Sequence, residues 1–424
     1  MSAESILDVA SEVEAFAAAN EGRGGRFGRR TAESTSTDAP VVQIVEKIIA
    51  NALRLRSSDV HIEPQDSRIR VRFRIDGVLN EILSLPPDMS SGIVSRIKIL
   101  GGMNIVERRK PQDGQFSMTI DEREIDVRVS TTGVVWGEKV VLRILDKTRS
   151  VYTLEALGMP AATHAKYSSM INSPYGMVIC AGPTGSGKTT TLYASLTEIN
   201  GTDKNVTTIE DPVEYVFPSI NQIQINEAAG VTFANGLRSI LRQDPDAILV
   251  GEMRDVETAR IAVQSALTGH FVLSSLHSTD AVSALYRFLD MGIEPFLVAS
   301  SVIGIVGQRL VRKICDNCKE SYLPSEHEMT FYQGAGGTDK SAFFHGAGCD
   351  HCAGSGFMDR IGIYELLNIS EPMREVMTRR QPSHEEMRLV AEQEGMSPMR
   401  QEALRLVAED TTTISEVIRT IYTL

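Results

Sequence analysis

The feature that most constrains this chain is a glycine-rich octapeptide, Gly-Pro-Thr-Gly-Ser-Gly-Lys-Thr, at residues 182–189. It matches G-x-x-x-x-G-K-[ST] at every fixed position, between an apolar run and a helical pattern over Thr190–Ile199. Glycines let backbone N–H groups turn inward around phosphates, Lys188 faces the β and γ oxygens, and the Thr189 hydroxyl can ligate Mg²⁺. The motif predicts an ATP or GTP site formed by Gly182, Pro183, Thr184, Gly185, Ser186, Gly187, Lys188, Thr189 and Thr190.

Continuous apolar runs surround this loop. They occupy residues 177–181, 247–250 and 271–273, with helical patterns between them. Runs without polar alternation are expected of parallel strands that are covered on both faces. The pattern therefore predicts a doubly wound α/β architecture beyond residue 150.

Acidic residues close two of the predicted strands. Glu252 ends the segment Ala247–Glu252, and Glu210 ends Val206–Glu210. Ligands of open α/β sheets bind beyond the carboxyl ends of the strands, so we expect both acids near the phosphates. The alternative is that these acids lie in solvated turns, as such acids more often do when no other motif is present. Hydrolysis needs one carboxylate near the attacking water and another near the metal. His277, at a further strand end, is placed as a γ-phosphate sensor would be, with a packed core histidine as the alternative.

The sequence pattern before residue 150 is different. Residues 69–75 alternate strictly between apolar side chains and arginines, and Asp76-Gly77 supplies a turn. Residues 124–130 alternate again, 140–145 form a third apolar run, and Val41–Leu55 is predicted to be a helix. These elements predict a small α+β domain with an arginine-bearing sheet face.

Net charge and apolar run lengths exclude several classes of protein. The net charge is −12 and the pI is near 5.3, which argues against a protein whose surface binds nucleic acid non-specifically. No run approaches the 18 apolar residues of a membrane span. The segment 4–14 carries several acidic residues, so it is not expected to form a secretory signal. Residues 1–40 are interpreted as a flexible extension with a short amphipathic helix, or as a disordered tail.

Four of the five cysteines form two C-x-x-C pairs separated by thirty residues. Four thiolates close a tetrahedral site without an open position, so the pairs predict a structural Zn²⁺ rather than disulfides. Reduced cysteines or an iron–sulfur centre are the alternatives, and His345 or His351 could replace one ligand. Cys180, in the strand before the phosphate loop, is expected to be buried and inert. The predicted zinc ligands are Cys315, Cys318, Cys349 and Cys352.

Taken together, these segments resemble the secretion ATPase superfamily that powers type II secretion and type IV pilus assembly. The resemblance covers residues 41–424. It implies a RecA-like P-loop ATPase domain, preceded by a small PAS-like α+β sheet domain, with a zinc-binding insertion and C-terminal helices. The segments that carry it, besides the phosphate loop, are Ser58–Pro64, Ile209–Tyr215, Leu241–Asp255, Thr268–His270, Ser275–His277 and Gln308–Arg312.

The resemblance also implies roles for individual residues. Glu210 would polarise the attacking water, Glu252 would belong to the Mg²⁺ shell, and His270 becomes a further catalytic candidate. Arg128 and Arg143 of the sheet domain would complete the ATP site of the same or an adjacent subunit. An arginine delivered by a mobile domain neutralises charge that develops on the γ-phosphoryl, which couples domain closure to chemistry. For each arginine, a solvated strand residue is the alternative.

The implied assembly is a homo-hexamer in the cytoplasm, held peripherally at the inner membrane by a polytopic platform protein and a pilus or secretion adaptor. No specific nucleic acid is expected. Two departures from the family stand out: Gln115 lies where relatives often carry an arginine, and about 40 residues precede the sheet domain where many relatives have a longer N-terminal domain. The expected divisions are an extension (1–40), a sheet domain (41–148), and an ATPase domain (149–424) with a zinc element (311–360) and a helical part (361–424).

These observations predict an ATP-hydrolysing motor for type IV pilus assembly or type II protein secretion. In the family, the zinc element separates assembly and export ATPases from many retraction ATPases. A retraction or DNA-transfer ATPase of the same superfamily is one alternative. A nucleotide-gated scaffold with little turnover is another, and the intact Lys188, Glu210 and Glu252 disfavour it.

Overall fold

The structure is a computed structural model that describes residues 13–14, 38–146, 153–379 and 383–422. The chain divides into two compact units, one formed by residues up to 149 and the other by most of the chain beyond. Of the predicted N-terminal amphipathic helix, Val13 and Glu14 are described and helical, and the rest lies outside the described residues. Within the described ranges, no helix is both long enough and apolar enough to cross a membrane.

The first unit contains a six-stranded antiparallel sheet in the order β3-β2-β1-β6-β5-β4. Two helices contribute to its core, with Ile44, Ile48, Ile93 and Ile97 fully buried. The predicted α+β class is therefore confirmed. The elements are α1 (Asp38–Arg54), β1 (Asp59–Pro64), β2 (Ile69–Ile75), β3 (Val78–Leu85), α2 (Ser90–Leu100), β4 (Gln112–Ile120), β5 (Arg123–Val134) and β6 (Gly137–Asp146).

Alternation in the sequence sets which residues of this sheet face the core. In β2, Ile69, Val71 and Phe73 are buried, while the arginines between them lie on the other face. The turn predicted at Asp76-Gly77 joins β2 to β3, with φ angles of +47° and +85° at its two residues. Positive φ at both positions matches the right-handed twist of the strands, so a short hairpin forms here.

Glu63, near the end of β1, collects three cations on the polar face of this sheet. Its carboxylate accepts hydrogen bonds from Arg70 at 3.1 Å and from Arg72 at 2.9 and 2.8 Å, and Lys139 lies 3.1 Å away. Burial alone would raise the pKa of Glu63, but the hydrogen bonds from these cations lower it from 4.5 to about 2. The cluster fixes β1, β2 and β6 to one another.

This cluster predicts an acid-sensitive first unit. Because the pKa of Glu63 is lower in the folded state, its stabilising contribution is complete above about pH 4.5 and is lost as the pH falls toward 2. We expect the urea midpoint, followed by fluorescence of the single tryptophan, Trp136, to fall between pH 5 and about pH 3.5 more steeply in the native chain than in Glu63→Gln. Glu81→Gln, at an exposed partner of Arg68, is the control. Equal pH slopes for all three proteins would contradict the assignment.

The second unit contains a seven-stranded sheet in the order β15-β12-β7-β11-β10-β8-β9. Its strands run parallel except for β15, which is antiparallel to β12. Alternate residues of the strand Gly176–Ala181, the third in this order, lie in two different core clusters: Met177 and Ile179 in one, Val178 and Cys180 in the other. Both faces of the sheet are thus covered, as the continuous apolar runs predicted. The strands are β7 (Gly176–Ala181), β8 (Val206–Glu210), β9 (Asn221–Gln224), β10 (Ala247–Val250), β11 (Phe271–Leu276), β12 (Val302–Ile314) and β15 (Phe357–Asn368), with β13 (Lys319–Tyr322) and β14 (Phe343–Gly346) in a separate hairpin.

Helices connect these strands and follow the last of them. The predicted helical character of residues 361–424 is wrong for its first part, because β15 extends to Asn368 as an edge strand of the sheet. The helices are α3 (Ala161–Ile171), α4 (Lys188–Ile199), α5 (Phe233–Ile240), α6 (Val256–Leu267), α7 (Ala281–Asp290), α8 (Pro295–Ser301), α9 (Glu326–Gly334), α10 (Glu371–Met377), α11 (His384–Gln393), α12 (Met399–Ala408) and α13 (Ile414–Val417).

Candidate active site

The glycine-rich loop lies between the fully buried strand β7 and helix α4, which begins at Lys188. Gly185 and Gly187 have φ angles of +78° and +89°, a region that side chains disfavour. A Cβ atom at Gly182 would lie 2.4 Å from the Ser186 hydroxyl and 2.6 Å from a backbone oxygen, so glycine is required there. The sequence between Ala181 and Lys188 therefore forms a tight cradle at a helix N-terminus.

Two polar groups of this cradle fit a phosphate ligand. The Lys188 ammonium donates to the carbonyl oxygens of Gly182 at 2.8 Å and Pro183 at 3.1 Å, inside the loop. Burial lowers the pKa of Lys188, and the charges of Cys180 and Glu252 oppose that shift. The Ser186 hydroxyl is buried and has no hydrogen-bond partner among the described residues. Thr189 and Thr190 are exposed in the first turn of α4.

Gln308 supports the loop from β12, and the predicted site did not include it. Gln308 is 1% exposed, and its Oε1 accepts a hydrogen bond from the Thr191 hydroxyl at 2.8 Å. Its Nε2 would lie 2.8 Å from a Cβ atom at Gly187. A polar residue within an apolar strand was the available signal, because a buried amide requires nearby partners.

Glu252 and His277 meet at the carboxyl edge of the sheet. The parallel register aligns Leu276 of β11 with Ala181, which precedes the loop, and aligns Val250 of β10 with Ser274. The Nε2 atom of His277 consequently lies 3.4 Å from a carboxylate oxygen of Glu252. Burial lowers the pKa of His277, the charge of Lys188 lowers it further, and Glu252 opposes both effects. The structure thus brings the loop lysine, an acid and a histidine together.

Arg254 joins this group and was not among the predicted site residues. Its guanidinium bonds to the Glu252 carboxylate and lies 3.9 Å from Asp211. The hydrogen bond to Glu252 raises the pKa of Arg254. The segment Gly251–Asp255 holds both charged residues, and its acid–base alternation was the signal that could have identified Arg254.

Glu210 lies at the end of β8 with its carboxylate engaged by neighbouring side chains. The Tyr193 hydroxyl of α4 donates to it, as do Thr208 at 2.5 Å and the Gln222 amide at 3.2 Å. Burial and the adjacent carboxylate raise the pKa of Tyr193, which keeps the phenol a donor. The carboxylate is therefore tied to the helix that follows the phosphate loop.

His270 lies at the opposite end of β11 from His277. Its Nδ1 is 3.1 Å from the carbonyl oxygen of Ser265, and its own carbonyl accepts the N–H of Gly176, where β7 begins. A strand of six residues spans about 20 Å. The structure does not bring His270 together with Glu252 in one chain, so its catalytic role stays a prediction.

Arg128 and Arg143 lie side by side in the first unit. They are directly opposed on β5 and β6, and the Nε atom of Arg143 is 3.0 Å from Asp59. Gln115 is the next member of the same cross-strand row, opposite Arg128 on β4. The residue that departs from the family pattern therefore stands beside Arg128 and in the same row as Arg143. A groove of about 620 Å³ is lined by these four residues among others.

The four paired cysteines form one cluster, in which all Sγ atoms lie within 4.8 Å of one another. Each pair ends in a 3₁₀ turn, Asp316–Cys318 and Asp350–Cys352. The Sγ atoms of Cys349 and Cys352 are 3.7 Å apart. A tetrahedral ion with Zn–S bonds of about 2.3 Å separates its sulfurs by about 3.8 Å, so the cluster fits zinc. His345, an alternative ligand, lies 3.2 Å from Glu320 instead.

Comparison with known proteins adds the family. Residues 34–419 match the family model described as Type II/IV secretion system protein. The chain is 45% identical over 385 residues to the Type II secretion system protein E of Pseudomonas aeruginosa, covering 90% of this chain and 76% of that protein. It is 44% identical over 387 residues to the Type IV pilus assembly ATPase PilB of Myxococcus xanthus, covering 90% and 68%.

A solved structure, the pilus retraction motor PilT with bound ADP, is similar with a TM-score of 0.58 and 25% identity, over 89% of this chain and 96% of that one. The glycine cradle around Lys188 and the sheet edge at Glu252 are features of this chain that suit an ATPase. By its family match over most of its length and by this site, the chain belongs to the Type II/IV secretion system protein family and is an ATPase.

Proposed function

We propose that this chain is an ATP-driven motor that powers type II protein secretion or type IV pilus assembly. The observation that carries the proposal is the meeting of Lys188, Glu252 and His277 at one edge of the parallel sheet, in a chain whose relatives are named for these two processes. An acid and a histidine beside the loop lysine suit hydrolysis, not binding alone.

Each residue of the site has a proposed role in turnover. Lys188 binds the β and γ oxygens of ATP, while the Thr189 hydroxyl and Glu252 hold Mg²⁺. Glu210 polarises the attacking water, and its bond to Tyr193 couples that carboxylate to α4. His277 senses the γ-phosphate, since its imidazole lies 3.4 Å from Glu252 and the charge of Lys188 acts on it. The Mg²⁺ ion neutralises charge on the transferring phosphoryl group when it is bound.

The working assembly we propose is a homo-hexamer at the cytoplasmic face of the inner membrane. A polytopic platform protein and a pilus or secretion adaptor would hold it there, without specific nucleic acid. The cysteine cluster would bind a structural Zn²⁺, and it favours export or assembly over retraction because many retraction ATPases of the family lack it. Counting subunits by light scattering with and without nucleotide, and capturing the platform protein from membranes, would test this assembly.

Arg128 and Arg143 are proposed to stabilise the charge that develops on the γ-phosphate. We expect Arg128→Ala and Arg143→Ala each to lower kcat at least about tenfold, because an arginine that neutralises this charge acts mainly in the transition state. Phosphate release by the purified chain measures the effect. Arg123→Ala is the control, since this arginine lies on the same strand as Arg128 and pairs with Asp146 at 3.7 Å. Unchanged kcat in both arginine variants would remove the first unit from the chemistry.

A further inference from the structure

Glu365 is a buried carboxylate on β15 that the proposed chemistry does not use. It is 2% exposed, and its two oxygens accept backbone hydrogen bonds from Ala281 at 2.6 Å and from Met399 at 3.2 Å. Ala281 and Met399 are the first residues of α7 and α12. One side chain thus binds the N-termini of two helices. Burial raises the pKa of Glu365, and the hydrogen bonds from the two backbone N–H groups oppose that shift.

Helix α7 is in turn attached to the site. It begins just after the loop that follows His277, and its Arg287 donates to the carbonyl oxygen of His277 at 2.7 Å. The imidazole of that histidine lies 3.4 Å from Glu252. The position of α7 therefore sets where the imidazole lies relative to the acid.

The backbone around Glu365 is packed too closely for another side chain. Gly307 of β12 is its direct partner across the sheet, and Ala181, which precedes the phosphate loop, is the next residue in that row. A Cβ atom at Gly307 would lie 2.8 Å from the Cγ of Glu365 and 2.9 Å from the nitrogen of Ala281. Such close contact leaves the carboxylate little freedom, so it fixes the end of α7 firmly.

We propose that Glu365 is a positioning residue for ATP hydrolysis, which holds α7 so that His277 stays beside Glu252. Through its hydrogen bond with Met399, Glu365 also connects α7 to α12. The C-terminal helices therefore take part in turnover without touching the nucleotide. The inference rests on the proposed function, because it requires His277 to act on ATP.

The test separates catalysis from binding in the full chain. Glu365→Gln keeps the size of the side chain but presents an amide N–H₂ group to one of the two backbone N–H donors. We expect kcat to fall about tenfold or more, as small displacements of catalytic groups do. The Kd for nucleotide should change less than about twofold, since the loop around Lys188 is untouched. Glu365→Asp, which keeps the carboxyl group but falls short of both helices, should behave in the same way and serves if the glutamine variant does not fold.

Lys340→Met is the matched control. Lys340 binds the opposite end of α12, donating to Val407 at 3.0 Å and Ala408 at 2.7 Å, so its loss loosens the same helix without touching α7. We expect this variant to melt at a lower temperature and to keep its kcat. An equal loss of kcat in Lys340→Met, or a kcat within about twofold of the native value in Glu365→Gln, would overturn the inference.

A third variant separates this inference from the proposed function. Unchanged turnover in His277→Gln would overturn the proposed role of His277. Lost turnover in His277→Gln with normal turnover in Glu365→Gln would overturn only the positioning role.

Discussion

Replacing Glu252 with glutamine is expected to lower kcat by about 10³-fold while nucleotide binding is retained. The substitution preserves the size of the side chain and leaves Lys188 and the glycine cradle intact. It removes the negative charge that faces the lysine, lies 3.4 Å from His277 and bonds to Arg254. The coordination geometry of Mg²⁺ and the positions of Lys188, His277 and Arg254 depend on that charge. Both matter most as charge shifts in the transition state.

Phosphate release gives kcat, and titration with a fluorescent nucleotide gives Kd. Glu257→Gln provides the control, because Glu257 lies in the first turn of α6 in the same segment but is exposed and pairs with Arg238. A native rate in Glu252→Gln would refute its assignment to the Mg²⁺ shell. A loss of nucleotide binding as large as the loss of rate would refute a role confined to catalysis.

Removing one cysteine of the cluster is expected to have the second largest effect. Native protein should contain one Zn²⁺ per chain, and Cys318→Ser should lose it, because three thiolates leave the tetrahedral site open. Structural zinc contributes folding free energy directly, so the melting temperature should fall by about 10 °C or more. Metal content by mass spectrometry and thermal unfolding measure the two effects.

Cys180→Ala is the matched control, since this fifth cysteine is fully buried in β7 and lies outside the cluster. It should retain the metal. Native protein that carries iron and absorbs visible light would replace zinc with an iron–sulfur centre. Native protein without bound metal, and with the melting temperature unchanged in Cys318→Ser, would show that the cluster is four reduced thiols.

The sequence predicted the parts of the fold that depend on local pattern. The phosphate loop, the strand before it and the helix after it follow from fixed glycine spacing and from a continuous apolar run, and the structure has all three. The helix predicted at Val41–Leu55 is observed as α1, Asp38–Arg54. By contrast, β4 was not predicted, because its core-facing positions begin with Gln112 and Gly114, which weaken the alternation of apolar and polar residues.

Other features could not be predicted because periodicity does not distinguish them or because the partners are distant in sequence. The stretch Ile363–Leu367, apolar apart from Glu365, suits a buried helix as well as a strand, and β15 is a strand because β12 pairs with it. The bond between Tyr193 and Glu210 joins two elements, and Gln308 meets Thr191 across more than a hundred residues. The sequence shows that these side chains are polar, but it does not show which residues they contact.

Strand β12 begins against β7, carries Gln308 beneath the phosphate loop, and ends immediately before Cys315. From Gly304 to Ile314 it is paired with β15, with a β-bulge between Arg312 and Ile314. The seven residue steps from Gln308 to Cys315 span about 23 Å. Because this strand is hydrogen-bonded to its neighbours along its length, we expect disorder at its cysteine end to displace the Gln308 amide under the loop. Loss of metal should then weaken nucleotide affinity from a distance, before the protein unfolds.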